Sequence, residues 1–359
     1  MRNGHKVIDV DSHVMEPDDL FERYLEAPFR AYAPKTTRFA MDQLKYFCRI
    51  EVGGHVWFGD EGDWDVHPFI RDGAGGMQTY KEAYRDYIEL GYSPESYLLY
   101  MDRTGIDYLL LYPTLTLHST AIPNLDAKAA AAIKRAYNNW LYDFCNEGLG
   151  RLLGVGQIDL RDVDLAIAEA RRCVGELGFK SVEIIPDPPV EGLPLDHPYY
   201  DPLWAEIASL GVPLGTHEAS FHKMGSVGYV GAKHANNTRI PYAQNMLAFG
   251  LGQMVAAMMF TGSICARHPE LKVVFTESSV GWSATWFHFL DDKWEYCWLS
   301  RSGKELVPEH PPSHYFAEQC AISGSLSDPG QAHAMLAGLE DNVLLATDFP
   351  HPEDMDGWR

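Results

Sequence analysis

Short apolar runs rich in β-branched residues alternate along the chain with longer stretches of helical periodicity. This alternation of strands and helices is typical of a parallel sheet or barrel. Eight runs qualify as strands, covering residues 7–11, 108–113, 152–158, 181–185, 213–217, 271–277, 320–324 and 343–348. The seventh is the weakest, and it is included mainly because a complete barrel requires eight strands.

Three of the intervening segments, residues 126–147, 162–177 and 202–210, have clear helical patterns. Asp162 can cap the second of them, and Gly178 and Gly211 supply left-handed stops. The strands are continuously apolar, so both faces of the sheet should be covered. We therefore predict an α/β fold, a (β/α)8 TIM barrel. A doubly wound open sheet is the alternative, but no glycine-rich phosphate loop follows the first strand.

Two insertions interrupt the alternation of strands and helices in this single predicted domain of 359 residues. A lid-like insertion of about residues 16–100 follows the first strand, and another of about 218–245 follows the fifth. Their notable residues are Trp57, Trp64, Asp65, His67 and Phe69 in the first, and His222, His234, Asn236, Asn237 and Arg239 in the second. Only residues 349–359 follow Asp348, so the last barrel helix is expected to be missing.

Charge and composition narrow the classes of partner. The 29 basic and 50 acidic residues give a formal charge of −21, which would repel a phosphate backbone, so no nucleic-acid partner is expected. The six cysteines form no C-x-x-C pair. We find neither a secretion signal nor a run of 18 apolar residues, so we predict a cytoplasmic protein without a membrane partner.

Potential metal ligands concentrate at the ends of the predicted strands. Asp11-Ser12-His13 ends the first strand, His217 the fifth, Glu277 the sixth and Asp348 the eighth. In Asp-x-His the two side chains point to the same side of an extended chain. The carboxyl ends of barrel strands meet at the face that carries the active site of barrel enzymes. We therefore predict that these side chains bind a metal ion.

Each of these residues also has a purely structural interpretation. His217 could be a hydrogen-bonded core histidine, Asp348 could accept in an Asx turn, and Glu277 could cap a helix. These interpretations together require several coincidences at one end of one barrel. The metal site is therefore the favoured hypothesis.

Four segments share a pattern with one known family: residues 7–17 (VIDVDSHVMEP), 211–217 (GVPLGTH), 268–275 (HPELKVVF) and 342–350 (NVLLATDFP). They resemble the amidohydrolase-related family, in the branch of aminocarboxymuconate semialdehyde decarboxylase and the resorcylate decarboxylases. The resemblance implies a divalent metal held by Asp11, His13, His217 and Asp348. Many relatives have His-x-His where this chain has Asp-x-His. Glu277, followed by two serines, replaces a common catalytic histidine that precedes glycines.

A divalent ion with open coordination positions lowers the pKa of a bound water to about 7 and polarises a substrate oxygen. We expect Asp348 to accept the proton of such a water, Glu277 to act as a second acid or base, and His217 to lie at the reacting centre. The expected reaction is hydrolysis or non-oxidative decarboxylation of a small carboxylated or aromatic substrate. Zinc or manganese is the favoured ion, with iron, or two ions, as alternatives.

Several residues are candidates for holding the substrate. A cation could clamp a substrate carboxylate, and tryptophans could form the pocket wall. The candidate cations are Arg239, Lys223 and Arg103, and the candidate tryptophans are Trp57, Trp64 and Trp282.

Two other functions remain open at this point. The three carboxylates, with His222, His234 or His351 as further ligands, could hold a dinuclear iron or iron–manganese centre that activates oxygen for hydroxylation. Alternatively, the chain could be a non-catalytic subunit whose insertion aromatics form an interface. Assembly into a homo-oligomer, or pairing with a related subunit, is also expected.

Overall fold

Eight parallel strands form the centre of the protein. The computed structural model describes residues 4–38, 48–53, 55–57, 80–117, 119–120, 124–187, 189–190, 192–217, 250–300, 306–325 and 327–351. Strands are numbered along the chain. The central sheet contains β1 (Ile8–Val14), β5 (Tyr108–Pro113), β6 (Leu152–Gln157), β7 (Ser181–Ile184), β8 (Leu214–Thr216), β9 (Val273–Phe275), β10 (Cys320–Gly324) and β11 (Val343–Leu345).

The strands are ordered in space as they are along the chain, β1-β5-β6-β7-β8-β9-β10-β11. The chain just after β11 then returns to β1. The Asp348 amide donates to the Asp11 carbonyl at 2.9 Å, and the His13 amide donates to the Phe349 carbonyl at 2.7 Å. These bonds close the sheet at the carboxyl ends of its strands, the end called the mouth below. The predicted barrel and all eight predicted strands, including the weak seventh, are confirmed.

Helices cover the outside of the barrel and follow most of its strands. They are α1 (Leu20–Tyr24), α2 (Arg85–Glu89), α3 (Pro94–Thr104), α4 (Ala127–Asn146), α5 (Val163–Gly175), α6 (Asp201–Leu210), α7 (Gln253–Met259), α8 (Cys265–Arg267), α9 (Ser283–Ser300), α10 (Pro312–Gln319) and α11 (Gly330–Leu336). A π-helical turn, Phe260–Ile264, joins α7 to α8. Three 3-10 turns cover Ala27–Tyr32, Pro198–Tyr200 and Glu340–Asn342.

The ends of the predicted helices are set by local side chains. Asp126 accepts from the Ala129 amide at the start of α4, and Asp162 accepts from the amides of Asp164 and Leu165 at the start of α5. Gly211, with φ of 68°, ends α6, and Gly178, with φ of 69°, follows α5. Both glycines adopt the left-handed conformation that the sequence predicts.

Part of the predicted first insertion is ordinary barrel structure. Tyr97, on α3, donates its hydroxyl to the His13 carbonyl at the mouth, and α3 ends at Thr104, shortly before β5 begins. Residues 94–104 therefore form the helix that connects the first two barrel strands. The same region contains a small antiparallel sheet of β2 (Lys35–Arg38), β3 (Cys48–Val52) and β4 (His55–Trp57).

The placement of α3 corrects one prediction. Arg103 lies in its last turn, beside the amino end of β5 and therefore at the end of the barrel opposite the mouth. Its guanidinium is half-exposed and lies 2.5 Å from Asp86. Arg103 is thus wrong as a candidate clamp for the substrate.

Several other predictions fall outside the described residues. These are the second insertion, with Lys223 and Arg239, the lid residues Trp64, Asp65, His67 and Phe69, and the missing last helix. In the part of the chain that the structure describes, no helix is long and apolar enough to cross a membrane.

Close packing between β6 and α5 depends on a glycine. A methyl group on Gly156 would lie 2.6 Å from the Cys173 sulfur, whereas one on Gly175, at the exposed end of α5, would meet nothing within 4 Å. We predict that Gly156→Ala lowers the free energy of unfolding by about 1–3 kcal/mol. The control Gly175→Ala should leave it unchanged or raise it by up to about 1 kcal/mol. Urea unfolding measures both, and equal effects would contradict the packing argument.

Candidate metal and active site

Strand β1 brings the first two candidate ligands to the mouth. Asp11 and His13 are both fully buried, and the register of β1 with β5 shifts between Asp9 and Ser12. Asp9 holds this irregular backbone in place. Its carboxylate accepts from the Asp11 and Thr347 amides and from the hydroxyls of Ser12 and Thr347. The alternating Asp9-x-Asp11-x-His13 pattern was the available sequence signal for this role.

Five predicted ligands converge on one point. The Nε2 atoms of His13 and His217 lie 3.0 Å apart, and Asp11 Oδ1 lies 3.6 Å from each of them. Asp348 Oδ1 lies 3.3 Å from His13 Nε2, and Glu277 Oε2 lies 3.1 Å from His217 Nε2. The sequence expectation that these strand ends would meet is therefore confirmed as geometry, while their ligand roles stay predictions.

The arrangement fits a divalent metal ion. Two ligand atoms that each lie about 2.1 Å from one ion are separated by about 3.0–3.6 Å when they subtend roughly 90–120° at it. The separations of Asp11 Oδ1, His13 Nε2 and His217 Nε2 fall within that range. Asp11 Oδ1 is also buried and accepts no hydrogen bond from any residue that the structure describes. A buried carboxylate oxygen of this kind is costly unless a cation compensates it.

The electrostatics of the site also favour a cation. Burial alone would lower the pKa of His217, but the Asp11 and Glu277 carboxylates raise it well above its usual value. Burial also raises the pKa of Glu277, against the effect of His217. Three carboxylates around two imidazoles therefore leave an excess of negative charge, which a divalent ion would neutralise.

The described ligands favour one ion. They form two candidate groups, Asp11–His13–His217 and His13–Asp348–His351, which share His13. The Nδ1 atom of His13 lies 2.7 Å from the Pro113 carbonyl, so only Nε2 faces the site. One nitrogen binds one metal ion, and the hydrogen bond from the other nitrogen fixes the direction of the ring.

Two candidate ligands have an unusual backbone conformation. Glu277 and Asp348 adopt left-handed φ angles of 47° and 54°. Such angles are costly for residues with a side chain and persist where surrounding contacts enforce them, often at functional sites. For Glu277 those contacts include its amide, which donates to Asp11 Oδ2 at 3.0 Å and to the Ser323 hydroxyl at 3.2 Å.

Asp348 is held by the aromatic residue that follows it. The Phe349 ring stacks on Tyr100, with centroids 3.8 Å apart, and packs edge-on against Tyr97. Both tyrosines lie on α3, and Tyr84 and Tyr87 complete the cluster. The barrel helix α3 therefore helps to fix the position of the Asp348 carboxylate.

Sequence reasoning missed a buried polar group beneath His217. Glu183 on β7 is buried, pairs in register with Gly215, two residues before His217, and accepts from Gln157 Nε2 at 2.7 Å. Burial raises its pKa to about 7, against the effects of His217 and Lys134. Lys134 on α4 is also buried. The available sequence signal was the single carboxylate within the apolar run of residues 181–185.

The structure describes only some of the residues that were predicted to contact the substrate. Trp282 lies just after β9 at the mouth, half-buried, with its indole N–H donating to the Ser278 carbonyl at 2.8 Å and its ring tilted against Phe287. Its contact with substrate stays a prediction. Arg239 and Trp64 lie outside the described residues, as noted above.

Comparison with known proteins identifies the class of this protein. The amidohydrolase family profile matches residues 8–358, and the chain therefore belongs to the amidohydrolase family. Among its relatives is the γ-resorcylate decarboxylase of Rhizobium radiobacter, which is 27% identical over 295 residues, 78% of this chain and 84% of that protein. The sequence resemblance to the amidohydrolase-related decarboxylases is thus confirmed.

Solved structures share the fold. An amidohydrolase from Mycobacterium avium subsp. paratuberculosis K-10 superposes with a TM-score of 0.73 at 22% identity, covering 98% of this chain and 91% of its own. A dihydroxybenzoic acid decarboxylase from Polaromonas sp. JS666, solved with bound manganese and 2-nitroresorcinol, gives a TM-score of 0.64 at 18% identity, covering 99% and 90%. At these identities the likeness supports the barrel fold alone.

The raised pKa of Glu183 predicts a specific pH dependence of stability. In the folded protein this acid keeps its proton between about pH 4.5 and 7, where the unfolded chain releases it. The native state then binds more protons than the unfolded state, so stability falls as pH rises through this window. Glu183→Gln should remove this loss of stability. By pH 8 the free energy of unfolding of the variant should then exceed that of the wild type by up to about 3 kcal/mol.

Urea unfolding at pH 5 and pH 8 in the presence of a chelator measures this difference. Glu340→Gln, which removes the same charge from an exposed position, is the matched control and should lose as much stability between the two pH values as the wild type does. A Glu183→Gln variant that loses stability in parallel with wild type would contradict the assignment.

Proposed function

We propose that this protein is a metal-dependent enzyme that catalyses the non-oxidative decarboxylation of a small aromatic carboxylic acid. The observation that carries the proposal is the buried cluster of Asp11, His13 and His217, with Asp348 and Glu277 beside it, at the mouth of an amidohydrolase barrel. The names of the relatives support decarboxylation over hydrolysis, since γ-resorcylate decarboxylase is among them.

Asp11, His13, His217 and Asp348 are the proposed metal ligands, and manganese is the proposed ion, ahead of zinc and iron. Carboxylate and imidazole ligands together suit manganese, and the Polaromonas decarboxylase contains it. When bound, the ion would polarise a substrate oxygen and neutralise the carboxylate charge of the site. The substrate carboxylate and phenol oxygens are acceptable partners for such an ion.

Decarboxylation replaces the carboxylate of the substrate with a proton. A C–H bond forms at the ring carbon, the bond from that carbon to the carboxylate breaks, and its electron pair stays on the ring as carbon dioxide leaves. The protein must therefore hold a proton near that carbon. Glu277 is the proposed donor, since burial raises its pKa and its carboxyl group lies at the edge of the ligand cluster.

Asp348 is the proposed partner in proton transfer. Its carboxylate lies beside His13 and faces the same cluster as Glu277. If the substrate were an ester or amide instead, Asp348 would accept the proton of an attacking water, and hydrolysis would follow from the same residues. Hydrolysis is therefore the nearest alternative reaction.

The other functions have less support. A dinuclear oxygen-activating centre would need ligands beyond the described groups, which share His13 Nε2. A non-catalytic subunit would have no use for a buried, convergent set of charges that costs stability. The cytoplasmic location and an oligomeric assembly, with itself or a related subunit, stay predictions from the sequence.

Replacement of Asp348 tests the proposed reaction. Wild-type protein loaded with manganese should release carbon dioxide from at least one hydroxylated benzoate, including 2,6-dihydroxybenzoate, in a panel. Asp348→Asn should lower kcat on that substrate by roughly 10²-fold or more, because it removes the proton-transfer group and a ligand charge. Carbon dioxide release, followed by a coupled assay, measures both.

Asp341→Asn is the matched control. Asp341 is exposed and flanks the opposite end of β11, so this variant should retain wild-type activity. Turnover of esters or amides by a wild type that leaves every benzoate intact would replace decarboxylation with hydrolysis. An active Asp348→Asn variant would remove Asp348 from the mechanism.

A further inference from the structure

Thr114, which follows β5, contacts the His351 side chain, and His351 in turn faces Asp348. The Thr114 hydroxyl lies 2.9 Å from His351 Nε2, within hydrogen-bond distance, and His351 Nδ1 lies 2.9 Å from Asp348 Oδ1. We propose that Thr114 is a positioning residue that acts through the His351 ring to orient the Asp348 carboxylate toward the metal. The inference rests on the proposed metal site.

The His351 ring is restrained on its face as well as at its edge. It is buried and stacks on the His13 ring, with centroids 4.0 Å apart and planes 26° from parallel. Stacking fixes the plane of the ring but still permits a 180° flip about the Cβ–Cγ bond, which would put carbon atoms in the places of Nδ1 and Nε2. The Thr114 hydroxyl selects one of the two orientations, because it engages Nε2 and so keeps Nδ1 on the side of Asp348.

The segment that carries Thr114 is itself firmly held from one side. The buried carboxylate of Glu16 accepts from the amides of Thr114, Leu115 and Thr116, at 3.2, 3.0 and 2.9 Å, and from the Thr116 hydroxyl. Charge-assisted hydrogen bonds of this kind are strong in a buried setting. Glu16 follows β1, so the strand that supplies Asp11 and His13 also positions the Thr114 segment.

A buried lysine holds the same segment from the other side. Lys134 Nζ donates to the carbonyls of Thr116 and Leu117 at 3.2 and 3.0 Å. An anion thus binds the amides of this short segment and a cation binds its carbonyls. The segment also presents the Pro113 carbonyl to His13 Nδ1, so one rigid loop sets the direction of two histidines at the site.

His351 could instead bind the metal directly through Nδ1, since it belongs to one of the candidate ligand groups. The two roles predict different results for His351→Asn. The asparagine side-chain amide can place an N–H donor near the position of Nδ1, and an amide nitrogen, unlike an imidazole nitrogen, does not bind a metal ion. A positioning role therefore predicts a smaller loss of metal affinity for His351→Asn than for His351→Ala.

The test is the affinity for Mn²⁺, measured by titration with electron paramagnetic resonance detection of the free ion. Thr114→Val removes the hydroxyl and keeps the shape of the side chain, whereas Thr114→Ser keeps the hydroxyl. We expect Thr114→Val to weaken Mn²⁺ binding by roughly 10- to 100-fold, as loss of a group that orients a ligand commonly does. Thr114→Ser should bind within a few-fold of wild type.

Thr114→Ala serves as a second variant without the hydroxyl in case the valine variant does not fold, and thermal unfolding of the metal-free proteins checks each fold. Wild-type affinity in the valine or alanine variant would overturn the inference, as would equal losses in the valine and serine variants. Equal losses in His351→Asn and His351→Ala would likewise replace positioning by direct ligation. Failure of the wild type to bind Mn²⁺ would count against the proposed function instead.

Discussion

The buried carboxylate of Asp11 is the feature on which the site depends. One oxygen is satisfied, since it accepts from the Glu277 amide and the Ser323 hydroxyl, and the other faces the Nε2 atoms of two histidines. A charge removed from water in this way must be compensated. The local structure supplies only part of that compensation, so the surplus negative charge is best explained by a bound cation.

The barrel strands bring the other candidate ligands close to the Asp11 carboxylate. Asp9 ties β1 to the end of β11, and the closing hydrogen bonds of Asp348 and His13 join the same two segments. The first and last barrel strands therefore place Asp11, His13 and Asp348 together, although more than 330 residues separate their ends. Strands β8 and β9 add His217 and Glu277 from the other side of the mouth.

The strands and the ligand cluster could be predicted because each ligand directly ends a continuous apolar run, and barrel geometry brings such ends together. Thr114 and His351 could not be paired in this way, since 237 residues separate them and both lie in loops. Glu183 was missed because it lies within an apolar run rather than at its end, and its partner Gln157 lies on another strand. Arg103 was misassigned because the helix that contains it was not predicted, so its position at the end of the barrel opposite the mouth could not be inferred from the sequence.

The metal content of the protein tests the central claim most directly. Protein purified without added metal or chelator should contain about one divalent ion per chain, chiefly manganese or zinc, by elemental analysis. A His13→Ala, His217→Ala double variant that remains folded should contain almost none. Two ions per chain including iron would favour the oxygen-activating centre, and a double variant that retained the wild-type metal content would contradict the assignment of the site.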